Sequence, residues 1–240
     1  MEQTSSPDAL TLMLAEKLRD TGNNERADIS MILIDAKGAQ RERKLIRLRV
    51  SDGREQKIRL QFQFPPDLRD TALLLHDHSD RDDDRWLYLP TLRKAKRISG
   101  AQKYRHFLGT DFTYDELGGR EPEEDKHQLL GEEILDNKVV YKIKSIPIEQ
   151  ENPYQYRLTW LEKTTSIILK EEYFDRHGRL KKRMLVNNIQ SLQGIPTILE
   201  REMQDIQQQH RTVLKFSQVK YNTDISSRFF HSRQLDRPIK

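Results

Sequence analysis

The 240-residue chain carries 42 Lys and Arg against 38 Asp and Glu, a net +4, with 33% charged residues and a mean hydropathy of -0.85. It has no cysteine, which excludes disulfides, thiolate zinc sites, a thiol nucleophile and a lipidated N-terminal cysteine. So even a mixture of charge does not mark a nucleic-acid binder, and no apolar run approaches the roughly 20 residues of a membrane-spanning helix.

The length suits one large all-β unit or two small domains. MEQTSSPDAL has neither the basic start nor the apolar core of a signal peptide, so the chain reads either as cytosolic or as a mature form behind an added Met1. Ser6, Pro7 and Asp8 form a helix start, because Ser accepts from exposed N–H groups, Pro suits the first turn and Asp complements the positive dipole end. Leu10, Met13, Leu14 and Leu18 then recur at helical spacing up to Gly22, predicting a helix over about 7–20.

Beyond Ala27 the period changes to two. Ile46, Leu48 and Val50 alternate with Arg47 and Arg49, and Ile58, Leu60, Phe62 and Phe64 alternate with Lys57, Arg59, Gln61 and Gln63. Ser51-Asp52-Gly53 between the two runs is a tight-turn sequence, so this is a hairpin with one wet and one buried face. Pro65-Pro66 forces the chain to turn.

From Leu73 to Arg97, LLLHDHSDRDDDRWLYLPTLRKAKR holds three candidate functions. His76, Asp77, His78, Asp80 and Asp82 to Asp84 are potential metal ligands, but the cluster lacks the glycine of a calcium loop and a polar tip between LLL and WLYLP is what an exposed hairpin needs, so a solvated hairpin tip is the better reading. Arg93, Lys94, Lys96 and Arg97 make a positive patch that suits an anionic headgroup or an acidic partner better than nucleic acid. WLYLP is a strand, with RKAKR as its wet continuation.

Between Ser99 and Gly119, Tyr104, Phe107 and Leu108 stand at helical spacing and Thr113 and Glu116 form a capping box. Gly100, Gly109 and Gly118-Gly119 bracket this segment with backbone free to open and reclose. GGREPEEDKHQ is a polar loop, the best internal boundary if there is one. VVYKIK, YRLTWLE, TSIILKEEYF, LKKRMLV, PTILEREM and RTVLKFSQVKY then read as strands of one antiparallel meander, with DRHGR as a turn.

Catalysis has no support: GxSxG, HExxH, GxxxxGK[ST] and GxGxxG are all absent. Glu132-Glu133 and Glu171-Glu172 are paired carboxylates, but strand neighbours point to opposite faces and do not act on one bond as a unit. One sheet face carrying Phe62, Phe64, Tyr141, Leu158, Trp160 and Phe216 must be covered by the few helical segments. Either the helices fill it as core, or an apolar cavity remains for a ligand.

DDDRWLYLPTLRKAKRI, FLGTDFTYDEL and EEYFDRHGRLKKRMLVNNIQSLQGIPTILEREMQDIQQQHRTVLKFSQVKYN together resemble the outer-membrane lipoprotein-sorting proteins, relatives of the periplasmic carrier LolA, over about Ile29 to Phe230. The resemblance implies a mainly β, single-domain chain (1–240) with a curved antiparallel sheet forming an unclosed β-barrel, and a helical lid over about 100–118. It further implies a cleaved signal peptide, a periplasmic location and an apolar cavity that shields acyl chains of a lipoprotein or lipid. An inner-membrane transporter as donor, an outer-membrane acceptor, no cofactor, no metal and a monomeric state go with it. The candidate cavity residues are then Leu60, Phe62, Phe64, Trp86, Tyr88, Tyr104, Phe107, Leu108, Tyr141, Leu158, Trp160 and Phe216. Trp86 and Tyr88 are assigned inward, since exposed beside leucines they would make an unusually large apolar patch. The rival is a sensor or interaction protein of the same fold, whose hollow is packed core and whose basic patch meets an acidic partner or lipid headgroup.

Overall fold

A computed structural model describes residues 7–239; Met1, and Ser6 of the expected helix start, lie outside the described residues. Asp8 caps the one α-helix among them, α1 (Ala9–Lys17), its carboxylate accepting from the Thr11 amide at 3.1 Å. This satisfies a donor that the first turn leaves without a partner. The helix is shorter than expected, and it buries Ala9 and Met13 rather than a leucine row; Leu18, just past its end, is 58% exposed.

Thirteen antiparallel strands follow: β1 (Asn24–Ile34), β2 (Gln40–Asp52), β3 (Glu55–Phe64), β4 (Ala72–Asp77), β5 (Asp84–Leu89), β6 (Lys94–Ile98), β7 (Asp125–Leu135), β8 (Lys138–Pro147), β9 (Tyr154–Glu162), β10 (Ile168–Asp175), β11 (Leu180–Leu192), β12 (Ile195–Asp205) and β13 (His210–Tyr221). They form one sheet in the order β6, β5, β4, β3, β2, β1, β13, β12, β11, β10, β9, β8, β7. One meander walks from β1 to an edge at β6. The other starts at the far edge, β7, and walks back to β13, which pairs with β1 so that Ile29 faces Phe216. The two edges do not pair with each other, so the barrel is unclosed.

A flat sheet of this many strands would be roughly 60 Å wide. Yet Leu87 of β5, Ile58 of β3, Met31 of β1, Met203 of β12 and Tyr173 of β10 belong to one buried cluster, which requires the sheet to curl around its inner face. The β2–β3 hairpin closes with Asp52 opposite Glu55 and Gly53 at φ +61, the left-handed region that glycine enters without steric cost.

The faces differ from expectation. On β3, Ile58, Leu60 and Phe62 point inward, but Arg59 and Gln61 on the other face are fully buried rather than wet. The cover is the C-terminal segment: Leu48, Ala72 and Leu74 pack there against Phe230, Leu235 and Ile239. The Arg59 guanidinium donates to the carbonyls of Phe229 at 3.1 Å, Gln234 and Leu235 at 3.2 Å, and Arg237. Gln61 accepts from the Ile239 amide, and His76 Nε2 lies 2.9 Å from the Phe230 carbonyl. The apolar row of β2, Ile46, Leu48 and Val50, therefore faces this tail, and Arg47 and Arg49 face inward.

Three connections also differ. RKAKR does not continue the WLYLP strand: Pro90–Leu92 is a 3-10 turn ending in Arg93 at φ +47, and β6 returns antiparallel to β5. GGREPEEDKHQ is not wholly a polar loop, because Pro122 is buried and β7 begins at Asp125. The expected helical lid is a short 3-10 helix, Gly100–Tyr104, followed by turns and one bridge between His106 and Thr113. This strap links the two edge strands across the inner face and buries Phe107, Phe112, Tyr114 and Leu117 in the main core. The Thr113–Glu116 capping box is formed, Thr113 N donating to Glu116 Oε2 at 2.8 Å and Glu116 N to Thr113 Oγ1 at 3.1 Å, although no α-helix follows it.

Candidate ligand cavity

A cavity of about 350 Å³ lies between the inner face, α1 and the strap's end. It runs from the exposed Leu18 and Gly53 to a buried apolar floor of Ile29, Met31, Leu45 and Leu60. Its walls are not the uniform hydrocarbon expected, for charged side chains from α1, the strap and seven strands line it as well.

At one side these charges are paired. Lys17 Nζ lies 2.8 Å from Glu121, which also accepts from Arg54. Arg120 and Arg157 share Asp125; burial opposes its ionisation, but the two guanidinium groups outweigh burial and hold the carboxyl below its ordinary value. Beneath the strap, Lys182 Nζ donates to Asp111 O at 2.6 Å and meets Glu116 at 3.1 Å, and Tyr154 OH donates to Glu116 at 2.6 Å. At the other side sit Arg47, Arg49 and Arg201. Arg49 is satisfied by the Thr21 carbonyl and Ser51 Oγ, with Glu25 3.7 Å away. Burial first, then the neighbouring charge of Arg47, lowers Arg49 to about 10.

Of the residues expected to line a cavity, Leu60 and Phe216 do so. The others are placed elsewhere. Phe62 and Phe107 are close-packed core at 5.8 Å between ring centroids, with Tyr114 5.6 Å from Phe107, and Leu108 packs on the edge of that cluster. Phe64, at the end of β3, is 43% exposed. Tyr104 donates to Glu149, away from the cavity. Tyr141 packs with α1 and carries Lys163 over its ring. Leu158 and Trp160 sit on the opposite face, where Trp160 Nε1 donates to Glu133 at 2.8 Å.

Trp86 and Tyr88 are a correction: they point to the outer face beside the C-terminal tail, while Leu87 points inward. The tail reduces the exposed patch that argued for an inward placement without removing it: both rings are half-buried, and with Arg93, Arg233 and Leu235 they line an open groove on the outer face. Arg93 ends the turn before edge strand β6, and Lys94, Lys96 and Arg97 lie on it; all four are exposed, none lines the cavity, and Arg97 pairs with Asp84. The acidic hairpin tip is exposed over 79–82, but its flanks are buried: Asp77 accepts from Gly119 N at 2.6 Å, and Arg85 bridges Asp83 and Asp115. Gly119 is thus a point of close approach rather than a free hinge, since a Cβ there would lie 2.6 Å from the Asp77 carboxylate. Among the described residues no group of three or more His, Asp or Glu could hold a metal ion.

A curled open sheet, a strap between its edges and a cavity that opens at Leu18 and Gly53 define an open-barrel fold. Residues 54–237 match a family described as uncharacterized protein, and the chain belongs to that family. A Vibrio parahaemolyticus domain described as an outer membrane lipoprotein-sorting protein superposes with a TM-score of 0.90 at 29% identity, covering 95% of this chain and 98% of that one. A DUF1329 family protein from Desulfovibrio piger reaches 0.88 at 24% identity, over 95% and 97% of the two chains. A LolA superfamily protein from Nitrosomonas europaea reaches 0.71 at 20% identity, over 94% and 98%. The resemblance to lipoprotein-sorting proteins therefore extends through the whole fold. No curated protein matches the sequence. Among the described residues no helix is long and apolar enough to cross a membrane.

Proposed function

We propose that this chain is a non-catalytic periplasmic carrier that takes an acyl chain of a lipid or lipidated protein into its cavity and passes it from an inner-membrane donor toward the outer membrane. The observation that carries the reading is the unfilled space of about 350 Å³ over an apolar floor, with the exposed Leu18 at its entrance. Ligand pockets span roughly 300–1,000 Å³, so this one suits a single chain rather than several. Each methylene moved from water contributes about 0.8 kcal/mol, so ten of them give about 8 kcal/mol before the loss of freedom on association is subtracted. That is enough for capture and still permits release.

Protein purified from cells and analysed by native mass spectrometry should carry a lipid, and the stripped protein should take up a polarity-sensitive dye that a fatty acyl chain displaces. A stripped protein blind to the dye and to acyl chains overturns the carrier reading. It would favour instead an interaction protein acting through the exposed cations of edge strand β6, Lys94 and Lys96.

A further inference from the structure

The cations of the interior are unevenly served. Lys17, Arg49, Arg54, Arg120, Arg157 and Lys182 each have a carboxylate within 4.0 Å. Arg201, on β12, has none: its guanidinium makes no hydrogen bond and no ion pair among the described residues, and its Nε is buried. It stacks instead over Phe112, 5.2 Å from the ring centroid. Arg47 stands over Phe216 at 5.7 Å and, like Arg49, has Glu25 within ion-pair distance, at 3.6 Å.

Arg201 and Arg47 line the same cavity, and desolvation first, then the charge of Arg47, lowers Arg201 from its ordinary value. Glu16 and Glu171 also face this space, but neither reaches Arg201. Glu16 meets Arg19 at 3.9 Å, and Glu171 accepts from Thr159 Oγ1 at 3.1 Å and Tyr173 OH at 2.6 Å. An unpaired guanidinium in a cavity wall opposes folding unless something outside the chain completes it. Planar guanidinium forks above aromatic rings are suited to carboxylate and phosphate oxygens.

Leu214, directly opposite Arg201 in the β12–β13 ladder, is itself opposite Met31 of the apolar floor. The cation and the floor therefore belong to one continuous surface. We propose that Arg201 and Arg47 form an anion site in the wall of the cavity, and that its ligand is a single-chain amphiphile with a carboxylate or phosphate head. The head sits on the two guanidinium groups and the chain runs along Met31, Leu45 and Leu60. This rests on the carrier reading, and it adds the chemistry of the head.

The test uses the stripped full chain, a displaceable dye, and three ligands of equal chain length: dodecanoate, dodecyl phosphate and dodecanol. The expected result is that one or both anions bind at least about tenfold tighter than the alcohol, as a charge-assisted hydrogen bond supplies; the stronger anion tells a carboxylate from a phosphate source. In Arg201→Met that preference collapses while dodecanol affinity is kept, and Arg201→Lys retains part of it because the charge remains without the fork. Ligand-free Arg201→Met should melt no lower than the parent, since it removes an unpaired, half-buried charge. Saturable binding with no preference for either anion overturns the anion site and leaves the carrier reading intact. No binding by any of the three overturns both. An Arg201→Met that melts lower yet keeps the preference also overturns the site, assigning Arg201 to balancing Glu16 and Glu171.

Discussion

Two regions of the same inner face are built from the same strand alternation and end in different states. Where the strap crosses, Phe107 and Tyr114 descend onto Phe62 and leave no space. Toward α1, the side chains that alternation turns inward are Arg47 and Arg49 rather than leucines, and the strap's descending end presents Glu116, Glu121 and Arg120 instead of rings. Charged groups that need partners and water do not close-pack as rings do, and the cavity remains where they gather. The contrast teaches that the hollow is set by which residues the covering segments bring to it, not by the sheet alone.

The largest effect expected from this contrast is at the filled end. Phe107→Ala removes a ring with no exposure from between two others, and the loss should be about 3 to 5 kcal/mol in denaturant unfolding. Phe62→Ala should fall in the same range. A loss well under 2 kcal/mol for both would show that the strap does not pack as described and that the hollow extends through it.

Next in size is the outer cover. Arg59 holds four tail carbonyls with no carboxylate within ion-pair distance among the described residues, and burial lowers it to about 10. Arg59→Met leaves those carbonyls without their donor and should destabilise by roughly 3 kcal/mol. It should also expose 222–226 to limited proteolysis, releasing the C-terminal segment from a sheet that stays folded. Unchanged protection of that segment would mean that the apolar contacts of Phe230, Leu235 and Ile239 hold it alone.

These two regions also mark how far the sequence could be read. The strands and the β2–β3 hairpin were legible because a period of two is a local signal, and so was the Thr113–Glu116 capping box, a spacing of three. Period two tells which residues share a face, not which face is covered. On β2 both faces are covered, so the apolar row Ile46, Leu48 and Val50 suggested the wrong interior, and Trp86 and Tyr88 erred in the same way. The tail that covers them has Ile225, Phe229, Phe230, Leu235 and Ile239 at no regular spacing. On β3 itself nothing betrayed the cover, since Arg59 and Gln61 alternate with apolar residues just as Lys57 and Gln63 do. Arg201 sits in a run of alternating charge, and only the fold shows that its neighbours found partners while it did not.

A third prediction uses adjacent residues on the two faces, His76 outside and Asp77 inside. Burial raises Asp77 to about 7, helped by the charge of Asp83, and burial lowers His76 to about 4. Folded Asp77 keeps a proton that the unfolded chain gives up above about pH 4, so its contribution is full below that pH and is lost as pH rises through about 7. Folded His76 refuses a proton that the unfolded chain takes below about pH 6.5, so its contribution is full above that pH and is lost as pH falls toward 4. Each slope is at most about 1.4 kcal/mol per pH unit, and in the parent they partly cancel. Asp77→Asn should therefore gain stability with rising pH between 4 and 6.5, and His76→Gln should lose it through pH 7. Variant curves parallel to the parent from pH 4 to 8 would remove both groups from the linkage.

The smallest expected effect is the sharpest probe of the comparison. Leu60 and Leu73 stand directly opposite each other on β3 and β4, both buried and both in the main core, but only Leu60 lines the cavity. A Leu→Ala change in a packed core costs about 2 to 5 kcal/mol, the spread depending on the void left behind. Leu73→Ala opens a new void among close-packed neighbours, whereas Leu60→Ala widens one that already exists, so its loss should be smaller by about 1 kcal/mol in paired unfolding experiments. The two should also separate in binding: Leu60→Ala weakens or reshapes uptake of a dodecyl chain by removing part of the floor, and Leu73→Ala leaves it unchanged at temperatures where the protein is folded. Equal losses in stability together with equal binding would place both leucines in one continuous core and close the cavity between them.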